Sequence, residues 1–138
     1  MEPTLDAVVF GKTGCDKCKV LLRRVTELAQ QPEWADVRVR YLDVETEEGL
    51  VEFCRMECLN PQRLPALVVG RTEPTGTWSP IPAPPSAVPD PLLGACRLYH
   101  LVGLQTDYSP RGRGVITPAM IAAVLQQARA AVRAPAPV

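Results

Sequence analysis

Gly11-Lys12-Thr13-Gly14-Cys15-Asp16-Lys17-Cys18 follows an apolar run (Leu5, Ala7, Val8, Val9, Phe10) and leads into an amphipathic segment. The stretch reads as a strand, a tight turn and the start of a helix, with two cysteines at the turn. Residues three apart on a helix share a face, so Cys18 reaches back to Cys15 at the helix mouth. Two thiols so placed can form and break one disulfide. The unpaired N–H groups and the macrodipole of a helix N-terminus stabilise a thiolate, which favours Cys15 as the reactive member and lowers its expected pKa. Lys12 and Lys17 add positive charge nearby and Asp16 opposes them. By spacing alone a Cys-x-x-Cys serves redox sites and zinc half-sites alike.

C-terminal to this stretch, Cys18, Leu21, Leu22, Val25, Leu28 and Ala29 recur at helical spacing opposite Lys19, Arg23, Arg24, Glu27 and Gln30. This helix should end before Pro32. Val37, Val39 and Tyr41 alternate with Arg38 and Arg40, a period-two strand that continues through Val44. Acidic Glu45, Glu47 and Glu48 suit the start of a second helix over 47–59, with Leu50, Val51, Cys54 and Cys58 on its apolar side. Leu64 to Gly70 reads as a buried strand opening at Pro65, where proline is tolerated.

Most of the fifteen prolines fall between Pro61 and Pro91. Residues 71–94 therefore read as a long loop with polyproline II stretches, in which Trp78 offers a packing anchor at the active-site rim or against a partner. The run Pro82-Ala83-Pro84-Pro85 would also suit a polyproline-reading domain. A fourth strand is expected over 96–104 and a loop over 105–114. Thr117 and Pro118 then fit the N-cap and first position of a last helix, whose apolar stripe includes Met120, Ile121, Val124, Leu125, Ala128 and Val132. The order β, α, β, α, β, β, α implies an α/β domain over 1–133, with a mixed four-stranded sheet flanked by three helices. A proline-rich insertion at 72–94 and a flexible tail at 134–138 complete it.

At 138 residues, with fifteen Lys plus Arg against fifteen Asp plus Glu, the chain suits one domain and not a general nucleic-acid binder. Met1-Glu2-Pro3 opens no secretory signal and no run reaches transmembrane length. A cytoplasmic setting follows, with no membrane or nucleic-acid partner. There paired cysteines are more often catalytic or metal-binding than structural.

Three features together resemble the thioredoxin superfamily, and more narrowly its glutaredoxin-like members: Gly14-Cys15-Asp16-Lys17-Cys18 after the first strand, Tyr41-Leu42-Asp43-Val44, and Leu64-Pro65-Ala66-Leu67-Val68-Val69. The resemblance covers nearly all of the chain outside the proline-rich loop and the tail. It implies a thioredoxin-like fold and a thiol-disulfide oxidoreductase, with a redox-active centre that serves cell redox homeostasis. Cys15 would attack a substrate disulfide and Cys18 would resolve the mixed disulfide. Pro65 would be cis, and the backbone of Leu64 would pair with an extended thiol substrate. Lys12 matches a basic residue that glutaredoxins direct at a glutathione carboxylate. The family implies no cofactor, protein or low-molecular-weight disulfides as substrates, and glutathione or a reductase as electron donor. The chain departs from ordinary thioredoxins in having no Trp before Cys15, no Gly-Pro between the cysteines, and Val9 where they carry a buried acid.

Cys54 and Cys58 admit three readings. They are small buried hydrophobes, an auxiliary redox pair near the active site, or, with Cys15 and Cys18, the four thiolates of a metal or 2Fe-2S site in an electron carrier. His100 and Cys96 read as packing residues. A redoxin-fold interaction module centred on the proline-rich loop is a further class.

Overall fold

The computed structural model describes residues 5–56, 63–82, 96, 98, 101–106 and 116–133. Its elements run β1 (Leu5–Gly11), α1 (Asp16–Ala29), a short 3-10 turn (Pro32–Trp34), β2 (Val37–Asp43), α2 (Glu47–Arg55), β3 (Ala66–Thr72), β4 (Trp78–Pro80), β5 (Gly103–Gln105) and α3 (Pro118–Arg133). β1 pairs parallel with β2, Val9 opposite Tyr41, and antiparallel with β3, Val9 opposite Leu67. The mixed sheet thus has β1 at its centre, and all seven β1 residues are buried.

Alternation along a strand sends successive side chains to opposite faces, and β1 and β3 use both faces. Leu5, Ala7 and Val9 of β1 join Leu67 and Val69 of β3 in one core, with Leu21 and Val25 of α1 and Ile121, Val124 and Leu125 of α3. Val8 and Phe10 join Ala66 and Val68 in a second core, with Phe53 and Met56 at α2. α1 and α3 therefore cover one face, and α2 covers the other. Arg129 of α3 ties into the first layer, its guanidinium 4.2 Å over the Trp34 ring and bonded to Asp36.

The expected four-stranded sheet has five strands, because two short segments share its fourth position. β4 pairs with the C-terminal half of β3, Thr72 opposite Trp78, and β5 with the N-terminal half, Leu67 opposite Leu104. Pro82 bridges Leu101 between them. The reading of 71–94 as one continuous loop is corrected accordingly. Gly76, at φ +89°, turns the chain into an edge strand, and an edge tolerates Pro80. Trp78 packs into the second core with Val8 and Phe10 instead of at a rim. The strand expected over 96–104 is displaced to Gly103–Gln105. Residues 83–95, the tail 134–138 and His100 lie outside the described residues.

The apolar side assigned to α2 is also corrected. Leu50, Val51 and Cys54 are exposed, and the helix buries Gly49 and Phe53 with Met56 at its C-cap. Gly49 decides this orientation, since a Cβ there would fall 1.8 Å from the Asp43 carbonyl oxygen. With that glycine pressed to the sheet, residues four and seven further on face inward.

Asp6 stands inside the apolar run between Leu5 and Ala7. It is 2 % exposed, and its carboxylate accepts a 2.6 Å bond from the Arg38 Nε directly opposite in β2, as well as the Thr72 hydroxyl from β3. One side chain thus pins three strands at the start of β1. Arg38 is about half exposed, so part of the pair's attraction is screened. Asp6→Asn should cost about 1.5–3 kcal/mol, the range for hydrogen bonds to a charged group, read as a lower urea midpoint at unchanged m-value.

Candidate redox site

β1 ends at Gly11, and Lys12, Thr13 and Gly14 carry the chain past the end of this central strand into α1. Gly14 takes φ +77°, a region that L side chains rarely adopt. Cys15 is the N-cap of α1 in an extended conformation, and its sulfur accepts the Cys18 backbone N–H at 3.1 Å. Its own N–H donates to the Lys12 carbonyl, and its carbonyl accepts from Lys19 N–H. Cys15 and Cys18 are joined in a disulfide, with Cα atoms 5.2 Å apart. Cys15 is partly exposed and Cys18 fully buried, so an incoming group meets Cys15 first.

The Leu64–Pro65 peptide bond is cis, and both residues are buried. A polar set beyond them fixes that corner: the Pro65 carbonyl accepts both the N–H and the hydroxyl of Thr106, Arg63 donates to the Thr106 carbonyl, and Gln105 donates to the Arg63 carbonyl. A groove of about 120 Å³ runs between α1 and this corner, lined by Lys17, Val20, Leu21, Arg24, Pro65, Thr106 and Ile116. Lys12 is exposed in the turn. Sequence reasoning missed the Arg63, Gln105 and Thr106 set, because polar residues just before or at the end of an apolar strand look like ordinary loop.

The other flank of the turn is polar. Thr13 donates its hydroxyl to Asp43 at 2.7 Å, and Asp43 also accepts the Glu45 N–H at 2.8 Å. These two bonds, the Thr13 hydroxyl foremost, hold the Asp43 carboxyl below its ordinary value. A depressed carboxyl favours the folded state fully above the ordinary carboxylate range, near pH 4, and loses that contribution as pH falls through its folded value. Thr13→Val should raise the Asp43 pKa toward the ordinary value in a carboxyl NMR titration, and an unmoved titration would refute the assigned cause. Tyr41 also faces this flank. Burial, then the Asp43 and Glu45 carboxylates, push its phenol above the ordinary value, so it stays protonated at neutral pH.

Of the second cysteine pair, Cys54 is exposed on α2, and Cys58 lies outside the described residues. The reading of Cys54 as a buried hydrophobe is corrected, since it follows Phe53 and points away from the sheet. Among the described residues no group of three or more His, Cys, Asp and Glu side chains is arranged to hold a metal ion, and the four-cysteine set is not described as a whole. No described helix is long and apolar enough to cross a membrane.

No protein-family model matches the chain, and no curated protein matches it in sequence. Solved structures similar to it include the following three. Mitochondrial thioredoxin 3 from Saccharomyces cerevisiae, in its oxidized form, is matched over 56% of this chain at 23% identity and a TM-score of 0.39, and the chain spans 63% of that structure's length. Chloroplastic thioredoxin z is matched over 91% of this chain and 80% of its own at 20% identity and a TM-score of 0.49. Trxlp from Edwardsiella tarda is matched over 56% of this chain and 81% of its own, at 22% identity and a TM-score of 0.39. The element order, the mixed sheet with helices on both faces, and the cysteine pair where β1 passes into α1 make this a thioredoxin-like fold.

Proposed function

We propose that the protein is a thiol-disulfide oxidoreductase working through Cys15 and Cys18. The observation that carries this reading is the disulfide between a partly exposed helix N-cap and a buried residue one turn deeper. In the reduced protein, negative charge on the Cys15 sulfur is stabilised by the Cys18 N–H and by the N-terminus of α1. That thiolate attacks a substrate disulfide, one substrate thiol leaves, and the other remains bound as a mixed disulfide on Cys15. Cys18 then attacks the Cys15 sulfur, closing the intramolecular disulfide and releasing the second thiol.

Substrate approaches over the corner at Leu64 and Pro65. The groove between Pro65 and α1 supports an extended protein segment or a low-molecular-weight disulfide there. Exposed Lys12 supports the glutaredoxin-like version, in which glutathione is co-substrate and its carboxylate pairs with the ammonium; a reductase is the alternative donor. The proposed setting is reducing and cytoplasmic.

The deciding experiment alkylates anaerobically purified protein across thiol redox buffers and weighs it intact. Two alkylations should disappear together, map to Cys15 and Cys18, and show a midpoint of roughly −270 to −180 mV, the redoxin range. Four thiols that stay blocked until a chelator or acid frees them would overturn the reading in favour of a metal or cluster carrier.

A further inference from the structure

We propose that Tyr41 positions the sulfur of Cys18 for the resolving step; the chemistry rests on the oxidoreductase reading above. Tyr41 leaves β2 on the α1 side of the sheet, as Val37 and Val39 do. Gly11, at the end of the neighbouring strand, leaves the space that Tyr41 enters. Where a Gly11 Cβ would stand, the Tyr41 hydroxyl lies 2.5 Å away, its ring Cε2 2.9 Å away and the Cys18 Cβ 2.9 Å away. Phenol and cysteine thus converge on one slot that only glycine leaves open. Among the described residues the phenol makes no hydrogen bond, so its proton is available to a new acceptor.

That acceptor appears during turnover. In the mixed disulfide Cys18 is a thiol, and it loses its proton to solvent as its sulfur attacks the Cys15 sulfur. The bond between Cys15 and the substrate sulfur breaks with its electron pair, and the departing thiolate takes up a proton. Cys18 is fully buried in the closed pair, so a charge on its sulfur needs a donor in place of water. Tyr41 supplies that donor and remains protonated throughout. It acts through Cys18 and takes no part in bond making, whereas Cys15 has the α1 N-terminus.

The test uses the full-length Cys15→Ser protein and follows alkylation by iodoacetamide at Cys18, resolved from Cys54, Cys58 and Cys96 by peptide mass mapping, at one neutral pH. Adding Tyr41→Phe should slow Cys18 about three- to tenfold, the worth of one hydrogen bond. The same change in Cys18→Ser protein should leave Cys15 alkylation unchanged. In the wild-type pair, Tyr41→Phe should move the reduction potential in the reducing direction, because it withdraws support from the dithiol form.

Equal Cys18 rates with Tyr and Phe would overturn the inference. So would a Tyr41→Leu variant that slows Cys18 while Tyr41→Phe does not, since ring packing would then account for the effect. Failure of the oxidoreductase reading looks different: wild-type protein would reduce no disulfide, while the Cys18 rates of the Tyr and Phe forms still differed.

Discussion

Cys15→Ser is expected to lose disulfide-reductase activity by more than about a thousandfold, because a serine hydroxyl at neutral pH is not a comparable nucleophile toward sulfur. The N-cap geometry survives the change, since serine is itself a favoured N-cap that can accept the Cys18 N–H. Loss of activity would then report lost chemistry at an intact helix start. Cys18→Ser should behave differently. Attack by Cys15 still proceeds, and the mixed disulfide accumulates with the mass of one substrate thiol added. A reductase assay with a dithiol donor, paired with intact mass, separates the two variants. Full activity in both would remove these thiols from the mechanism.

Phe10→Ala should destabilise the fold by about 3–5 kcal/mol, the cost of deleting a buried aromatic and leaving a cavity. Phe10 has no solvent exposure and meets the Phe53 ring edge-on at 5.7 Å between centroids, so it anchors α2 to the sheet. Calorimetry should show a melting temperature lower by roughly 10 °C or more. Leu50→Ala on the same helix should stay within about 0.5 kcal/mol, because Leu50 is half exposed. The contrast also tests which face of α2 is buried, since equal costs would contradict the placement of Phe53 and Met56.

The strand-turn-helix around Cys15 was legible because three local rules agree there. An apolar run precedes a glycine turn, and a helical period follows it. β2 and α3 were legible for the same reason, through the Arg38 and Arg40 alternation and the Thr117-Pro118 start. The inward face of α2 was not, because Leu50, Val51 and Cys54 form a stripe as apolar as Phe53 and Met56. Only the contact of Gly49 with the end of β2 chooses between them. β4 was hidden by Pro80, whose ban on central strands does not extend to an edge. Asp6 was hidden because its partners, Arg38 and Thr72, are 32 and 66 residues away along the chain. At the candidate site both cysteines, Leu64 and Pro65 could be named from sequence, whereas the Thr106 bonds to Pro65 and the slot over Gly11 needed three dimensions.

The shared edge of β3 bears on which part of the sheet the cysteine pair relies on. Pro82 and Leu101 bridge each other where β4 hands over to β5, so neither short strand alone covers β3. A chain that lost β4 would leave unpaired only the Gly70–Thr72 half of β3, and an unpaired strand edge is a template for another chain. Ala66, which pairs with Phe10 at the end of β1 that leads to the cysteines, would keep Gln105 of β5 as its neighbour. Self-association and sulfur chemistry are thus assigned to opposite halves of one strand.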